Sequence, residues 1–163
     1  TRNQLAYIKS LLLQVEEELY AWNRLDRINA ASFADWYLLQ ELFRNNDAIF
    51  ISSDFMWKDT AAAAKPQDRL LNMGPLWDFD ISAGNTDSNN NWETEGCWVS
   101  KDYQPNWISK LFDNTDFLAL TIARWKQNCR RRQRQAQAPD AGQDAFAAAE
   151  LALAGGLRHA EPT

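Results

Sequence analysis

The chain has 163 residues, of which 45% are hydrophobic and 24% are charged, and its formal net charge is −5. This composition supports one folded domain with a substantial core and argues against intrinsic disorder. Six of the 17 basic residues lie between positions 124 and 134, so the sequence before them is clearly acidic. An acidic surface argues against nucleic-acid binding and suits divalent cations. No apolar run approaches the roughly 18 residues that a membrane span needs, and Cys97 and Cys129 allow one disulfide but form no CxxC metal pattern.

The first predicted element is an amphipathic helix over residues 2–22. Its apolar residues recur at alternating steps of three and four, which places them on one helical face: Leu5, Ile8, Leu12, Val15, Leu19 and Trp22. We expect this face to be buried as scaffold, with Glu16, Glu17 and Glu18 near the exposed side.

The second predicted helix begins near Asn29 or Ser32, because either side chain can cap the free amide groups of a first turn. It continues through an apolar stretch to Phe43. The Asn45-Asn46-Asp47 turn ends it, since Asn and Asp tolerate turn and left-handed backbone geometry.

A small antiparallel β-hairpin is predicted next. Residues 48–51 and 54–58 are rich in aromatic and β-branched residues, and residues 59–69 are predicted to form a loop. A return strand covers residues 70–77, where Gly74-Pro75 indicates an edge or a bulge. Residues 78–92 are polar and rich in turn formers, which is typical of an ordered loop near a functional site.

Two more helices and a tail complete the chain. Asn106 begins a short helix that ends at Phe112, and Asn114 or Thr115 caps a longer one. The buried side of this longer helix is predicted to consist of Phe117, Leu118, Leu120, Ile122 and Trp125. Five tryptophans fit the apolar periodicity and are predicted to be core residues: Trp36, Trp57, Trp77, Trp107 and Trp125. The sequence therefore predicts an α+β fold that is mostly helical, followed by an Arg/Ala-rich tail at residues 130–163.

Three segments then occur in order: INAASFADWYLLQELFRNND at 28–47, MGPLWDFDISAGN at 73–85 and NWISKLFDNTDFLALTIARWKQ at 106–127. Together they resemble the CotH kinase family. The resemblance implies that residues 1–129 form the catalytic lobe of an atypical protein kinase, mostly helical with a small antiparallel sheet.

The resemblance also implies an activity and a site. Members of the family transfer phosphate from ATP, with Mg²⁺ or another divalent cation, to serine or threonine of proteins such as spore-coat components. Asp47 matches the family's catalytic-loop aspartate, Asp78 matches its metal-holding aspartate, and Asp80 lies in the same motif and is expected to share the metal. A protein substrate and a location in the spore coat or at the cell surface follow from the same resemblance.

The chemistry of these residues suits that assignment. Magnesium prefers a few carboxylate oxygens together with phosphate and water. In an extended segment, positions i and i+2 point to the same face, so Asp78 and Asp80 would present two carboxylates together. Asp47 would accept the proton of an incoming hydroxyl, and Asn85 would support the loop. We expect the three aspartates to lie around one cation.

Two departures from a complete protein kinase are visible. Ser52 stands five positions after Asp47, where a protein kinase usually has a metal-binding Asn. The sequence contains neither a Gly-rich phosphate loop nor a recognisable strand-borne lysine, and in the family these parts lie upstream. We therefore expect the fragment to lack the nucleotide-binding lobe and to be inactive alone. The alternative is a non-catalytic surface or spore-coat binding module on the same fold.

The polar loop allows two other interpretations. Asp87, Asn89 and Asn91 match the start of a calcium loop, but Trp92 stands where that loop needs Gly, which favours a solvated turn. Trp92 and Trp98 would suit a lectin-like sugar platform, and this remains the minor interpretation.

Overall fold

The computed structural model describes residues 1–45, 48, 54–85, 95–99 and 106–137, with the backbone alone at 132–137. Helix α1 (Arg2–Glu17) continues into a π-helical turn (Glu18–Trp22) and is followed by α2 (Ala30–Phe43). Strand β1 (Met56–Trp57), a 3₁₀ turn (Pro66–Arg69) and β2 (Asn72–Met73) precede α3 (Trp107–Phe112) and α4 (Thr115–Gln137). The prediction of a mostly helical α+β fold with a small antiparallel sheet is confirmed.

The chain forms two compact units, Thr1–Lys126 and Gln127–Thr163. The described part of the second unit is the end of α4. The core of the first unit consists of residues from all four helices and from the segments between them, with Phe33, Ile108, Leu111 and Phe117 fully buried. None of the helices in the described ranges has the length and apolarity needed to cross a bilayer.

Helix α1 is buried only near its end. The side chain of Thr1 accepts a hydrogen bond from the Gln4 amide and starts the helix with a capping box. Val15 is 1% exposed, whereas Leu5 is 68% exposed. The predicted apolar face is therefore wrong for the first half of the helix, where Leu5 and Ile8 are exposed.

The predicted position of Glu18 is also wrong. Glu18 is buried, forms an ion pair with Arg27 and accepts a hydrogen bond of 3.1 Å from the Arg27 amide. It is the first residue of the π-helical turn, where i to i+5 bonding changes which residues face the core. The same change explains why Trp22, predicted to be buried, is exposed.

Helix α2 begins as predicted. The side chain of Asn29 accepts a hydrogen bond from the Ser32 amide, and Phe33, Trp36 and Tyr37 are buried. The ring of Tyr37 packs edge-on against Phe112 at a centroid distance of 4.7 Å. Helix α2 is thus the central element against which the rest of the first unit is arranged.

The two strands pair antiparallel, with Met56 opposite Met73 and Trp57 opposite Asn72. They are shorter than predicted because Gly74 and Pro75 end β2: the Gly74 backbone approaches Phe55 closely, and proline lacks an amide donor. Of the predicted strand at 48–51, only Ala48 is described, and it lies in a turn.

Strand β2 is held against the first turn of α2. Asn29 donates a side-chain hydrogen bond of 2.7 Å to Asn72, and the Met73 amide donates one of 3.0 Å to the Ser32 hydroxyl. The segment that leaves β2 therefore starts from a fixed point on α2.

The last two helices have the predicted caps. Asn106 caps α3, and the Asn114 side chain, rather than Thr115, accepts hydrogen bonds from the Asp116 and Phe117 amides of α4. Arg124 of α4 donates two hydrogen bonds to Asp35 of α2, which raises the pKa of Arg124.

Several predicted core residues are exposed instead. Phe117 is buried, but Leu118, Ile122 and Trp125 of α4 are exposed, as are Trp57 and Trp77. Thr121 is buried in their place because its hydroxyl donates to the Phe117 carbonyl, which satisfies its polar group. Both cysteines are free thiols.

Candidate functional site

The C-terminal end of α2 holds the loop at residues 78–85, which we call the aspartate loop. Arg44 ends the helix in a left-handed conformation, with φ of 48°. The next residue, Asn45, is buried, and its side-chain amide donates 3.1 Å to the Asp78 carbonyl and 3.0 Å to Gln40. The Ala83 amide donates 2.6 Å to the Phe43 carbonyl. Both ends of the aspartate loop are thereby fixed to one helix terminus.

Hydrogen bonds within the aspartate loop determine its shape. The Ser82 hydroxyl donates 2.6 Å to the Phe79 carbonyl, and the Asn85 side chain donates 2.6 Å to the Asp80 carbonyl. One oxygen of the Asp80 carboxylate accepts the Ile81 amide at 3.1 Å. The loop is ordered by side chains that bond its backbone.

The backbone at the two aspartates is a turn and not a continuation of β2. Asp78 has a left-handed φ of 62°, and Asp80 begins a turn. The prediction that the side chains of Asp78 and Asp80 point to the same face assumed an extended strand, so its premise does not hold in this turn. Both aspartates are nevertheless exposed, and they lie two positions apart in the sequence.

Phe79, between the two aspartates, points toward α2. Its ring packs edge-on against Phe43 at a centroid distance of 5.4 Å and an interplanar angle of 80°. Beside this contact lies an open cavity of about 620 Å³, within the usual size range for small-molecule sites. Its lining combines apolar and polar side chains: Leu39, Phe43, Leu76, Phe79, Asp80 and Asn85.

Two charged residues at the C-terminal end of α2, Glu41 in its last turn and Arg44 directly after it, hold a second segment, residues 95–99. The Glu41 carboxylate accepts the amides of Trp98 at 2.6 Å and Val99 at 2.9 Å. Arg44 donates to the carbonyls of Glu95 and Gly96, and its guanidinium lies 4.9 Å from the centroid of the Trp98 ring. Its Nη1 atom is buried and has no hydrogen-bond partner in the described part of the chain.

Sequence reasoning missed Glu41 and Arg44. The available indication was a pair of charged residues three apart at the end of an otherwise apolar helix, directly before a predicted site. Trp98, assigned to a possible sugar platform, is half-buried and lies against Arg44, so this contact covers part of its ring.

The predicted site residues divide into two groups. Asp78, Asp80 and Asn85 lie together in the aspartate loop. Asp47, Ser52, Asp87, Asn89, Asn91 and Trp92 lie outside the described residues, so the expected meeting of three aspartates stays a prediction. Within the described ranges, no three acidic, histidine or cysteine side chains are grouped as a metal site would require.

Replacing Asn45 by Ala should destabilise the fold by about 2 kcal/mol, because it removes the hydrogen bonds that the Asn45 side chain donates to the Gln40 side chain and to the Asp78 carbonyl. Urea unfolding followed by tryptophan fluorescence measures the change. Asn85→Ala is the matched control, since its bond to the Asp80 carbonyl is exposed to water and should contribute less than about 1 kcal/mol. Equal losses for the two variants would contradict the role assigned to Asn45.

Comparison with known proteins gives a family. The family model described as CotH kinase protein matches residues 1–137 of the 163-residue chain. A search of curated proteins and a search of solved structures each found no match, so the kinase-like nature of the lobe stays a prediction. Since the matched region includes the whole aspartate loop and all four helices, the chain belongs to the CotH kinase protein family.

Proposed function

We propose that the chain is part of a CotH-like atypical protein kinase that transfers phosphate from ATP to serine or threonine of a protein substrate. In this proposal Asp78 is the metal-holding residue, Asp80 shares the metal, and Asp47 accepts the hydroxyl proton. The observation that carries it is the aspartate loop: two exposed carboxylates in a fixed turn beside a cavity, attached to the helix end that leads into Asp47.

The residues of the loop suit a divalent cation. Carboxylate oxygens are the protein ligands that Mg²⁺ prefers, and one or two are enough when phosphate and water complete its coordination. The side chains of Ser82 and Asn85 bond backbone carbonyls, so they do not compete for the two carboxylates. When bound, Mg²⁺ would supply positive charge that offsets the charge of the transferring phosphate.

The left-handed backbone of Asp78 supports a functional assignment. A left-handed φ of 62° is uncommon outside glycine, and aspartate tolerates it better than most other residues do. Here Asn45 holds the carbonyl of Asp78. Such conformations concentrate at active sites, where they orient a side chain that a regular strand would direct elsewhere.

The remaining residues have supporting tasks in this proposal. Asp47, two residues after Asn45 in the sequence, would accept the proton of the attacking hydroxyl. Phe79 would anchor the turn that carries both aspartates by its contact with Phe43. We expect the chain by itself to be inactive, because its sequence has no Gly-rich phosphate loop to cover ATP.

Phosphorylation by the full-length protein that contains this chain tests the proposal. With ATP, Mg²⁺ and a serine-rich protein as acceptor, we expect phosphoserine or phosphothreonine, detected by mass spectrometry. EDTA should abolish the product and added Mg²⁺ should restore it. If no product forms and calorimetry detects no heat with Mg²⁺-ATP, the protein is the non-catalytic binding module instead.

A further inference from the structure

A second cavity, of about 360 Å³, lies at the other end of α2. It is bordered by α1, by the segment before α2 and by the first and last residues of the β1–β2 connection. Three basic side chains from three of these segments line it: Arg27, Lys58 and Arg69. We call it the basic groove.

The charges of two of these side chains are not neutralised. Arg27 forms an ion pair with the buried Glu18. Lys58 donates only to the neighbouring Asp59 carbonyl at 3.2 Å, and Arg69 donates through Nε to the Ala63 carbonyl at 2.8 Å. Among the described residues, neither Lys58 nor Arg69 forms an ion pair.

The one carboxylate in the lining does not cancel this charge. Asp26 forms an ion pair with Arg24, which lies outside the lining. Asp26 and Glu18 are each matched by an arginine, so Lys58 and Arg69 leave an excess of two positive charges among the side chains that line the groove.

The polar groups of the groove are arranged as donors. The bond from Nε of Arg69 fixes its guanidinium and leaves both Nη groups to donate. The Ser10 hydroxyl accepts a hydrogen bond of 3.0 Å from Gln14, so its own proton remains to be donated. The side-chain oxygen of Gln14 accepts from Arg27 at 3.0 Å, which removes an acceptor from the groove.

We propose that the basic groove binds a phosphate monoester on a protein, that is, phosphoserine or phosphothreonine. A phosphate monoester carries about −1.5 to −2 charges at pH 7 and three strong acceptor oxygens, which match two unpaired cations and a set of donors. A carboxylate carries a single charge and would leave one cation unneutralised. Clusters of arginine and lysine are a recurring means of recognising phosphorylated segments.

This inference rests on the proposed function and refines its substrate. The groove lies beside the segment that precedes α2, and the aspartate loop lies at the other end of that helix, whose 14 residues span about 21 Å. An extended peptide covers that distance in about six residues. The groove therefore selects a substrate that already carries a phosphate about six residues from the next acceptor hydroxyl.

Binding of a neutral glycine-alanine peptide with one phosphoserine, labelled with fluorescein, tests the groove in the full-length protein without ATP. We expect the serine and glutamate versions of the peptide to bind at least about tenfold more weakly, because they lack the dianion. Lys58→Gln/Arg69→Gln should weaken binding of the phosphopeptide by a similar factor. Lys65→Gln is the matched control, since Lys65 is exposed in the same connection but does not line the groove, and it should bind as the wild type does.

Each other result has a definite meaning. Equal binding of the phosphoserine and serine peptides, or unchanged binding by the double variant, overturns the proposal. Equal binding of the glutamate peptide rejects a phosphate-specific site, and displacement by inorganic phosphate at equal concentration rejects a protein-borne ligand. If circular dichroism indicates that the double variant is unfolded, Lys58→Gln alone decides, because Lys58 bonds only its neighbour. If the protein binds the phosphopeptide but transfers no phosphate, the proposed function is refuted, whereas the proposal that the basic groove binds a phosphate monoester is retained.

Discussion

Replacing Asp78 by Asn in the full-length protein should lower the rate of ATP-dependent phosphorylation by about a thousandfold. A metal ion at a transferring phosphate contributes several kcal/mol of transition-state stabilisation, and about 4 kcal/mol corresponds to this factor. Asparagine removes the charge of the carboxylate but tolerates a left-handed backbone, so the bond from Asn45 to the carbonyl at this position is kept. Alanine would change both properties at once.

Two further variants make the result interpretable. Asp80→Asn should have a smaller effect, about tenfold to a hundredfold, because Asp80 shares the metal in this proposal and one of its oxygens already accepts the Ile81 amide. Asp59→Asn, which removes an exposed carboxylate outside the aspartate loop, should leave the rate unchanged. Initial rates measured with radiolabelled ATP, at matched thermal stability, compare the three. A rate for Asp78→Asn within twofold of the wild type would refute the metal assignment.

Gly74→Ala should lower the free energy of unfolding by about 2 kcal/mol or more. A Cβ atom at this position would lie 2.6 Å from the Phe55 carbonyl oxygen and 2.8 Å from its carbon, and backbone atoms cannot turn aside as a side chain can. The two segments would have to separate, which is the usual cost of overpacking. This separation would disturb the β1–β2 pairing and would shift the residues that lead from β2 into the aspartate loop.

Guanidinium chloride unfolding, followed by circular dichroism, measures this loss. Leu76→Ala is a suitable comparison because Leu76 is in the same segment and exposed, and we expect a change of less than about 1 kcal/mol. If both variants unfold at the same denaturant concentration, the close approach at Gly74 has no energetic significance.

Sequence reasoning succeeded where structure depends on neighbouring residues. Each of two helix caps was narrowed to a pair of residues that includes the observed one, Asn29 or Asn114, because a cap requires only a short polar side chain and a free amide within three residues. The prediction of which residues are buried failed in several places, because burial depends on which other element packs against a given face. Leu5 and Ile8 fit the helical period but are exposed, and Trp57 and Trp77 are exposed despite their apolar character.

In the candidate site, too, the features set by neighbouring residues were predicted and those set by distant contacts were not. Asp78, Asp80 and Asn85 were found because they lie within one short motif, and the structure keeps them in one loop. The bonds from Asn45 to Asp78 and from the Trp98 amide to Glu41 join residues 33 and 57 positions apart, and no local pattern predicts such pairs. The left-handed turn at Asp78 was missed because aspartate also occurs in extended segments.

The chain between β2 and Ala83 is attached to α2 at both ends, through Met73 at the first turn and through Ala83 at the last residue. A rigid helix thus sets the distance that this stretch must cover. Substitutions at its exposed positions 75–77 leave that distance unchanged, whereas one inserted or deleted residue would release one of the two attachments. Among relatives, the number of residues in this stretch should therefore stay constant.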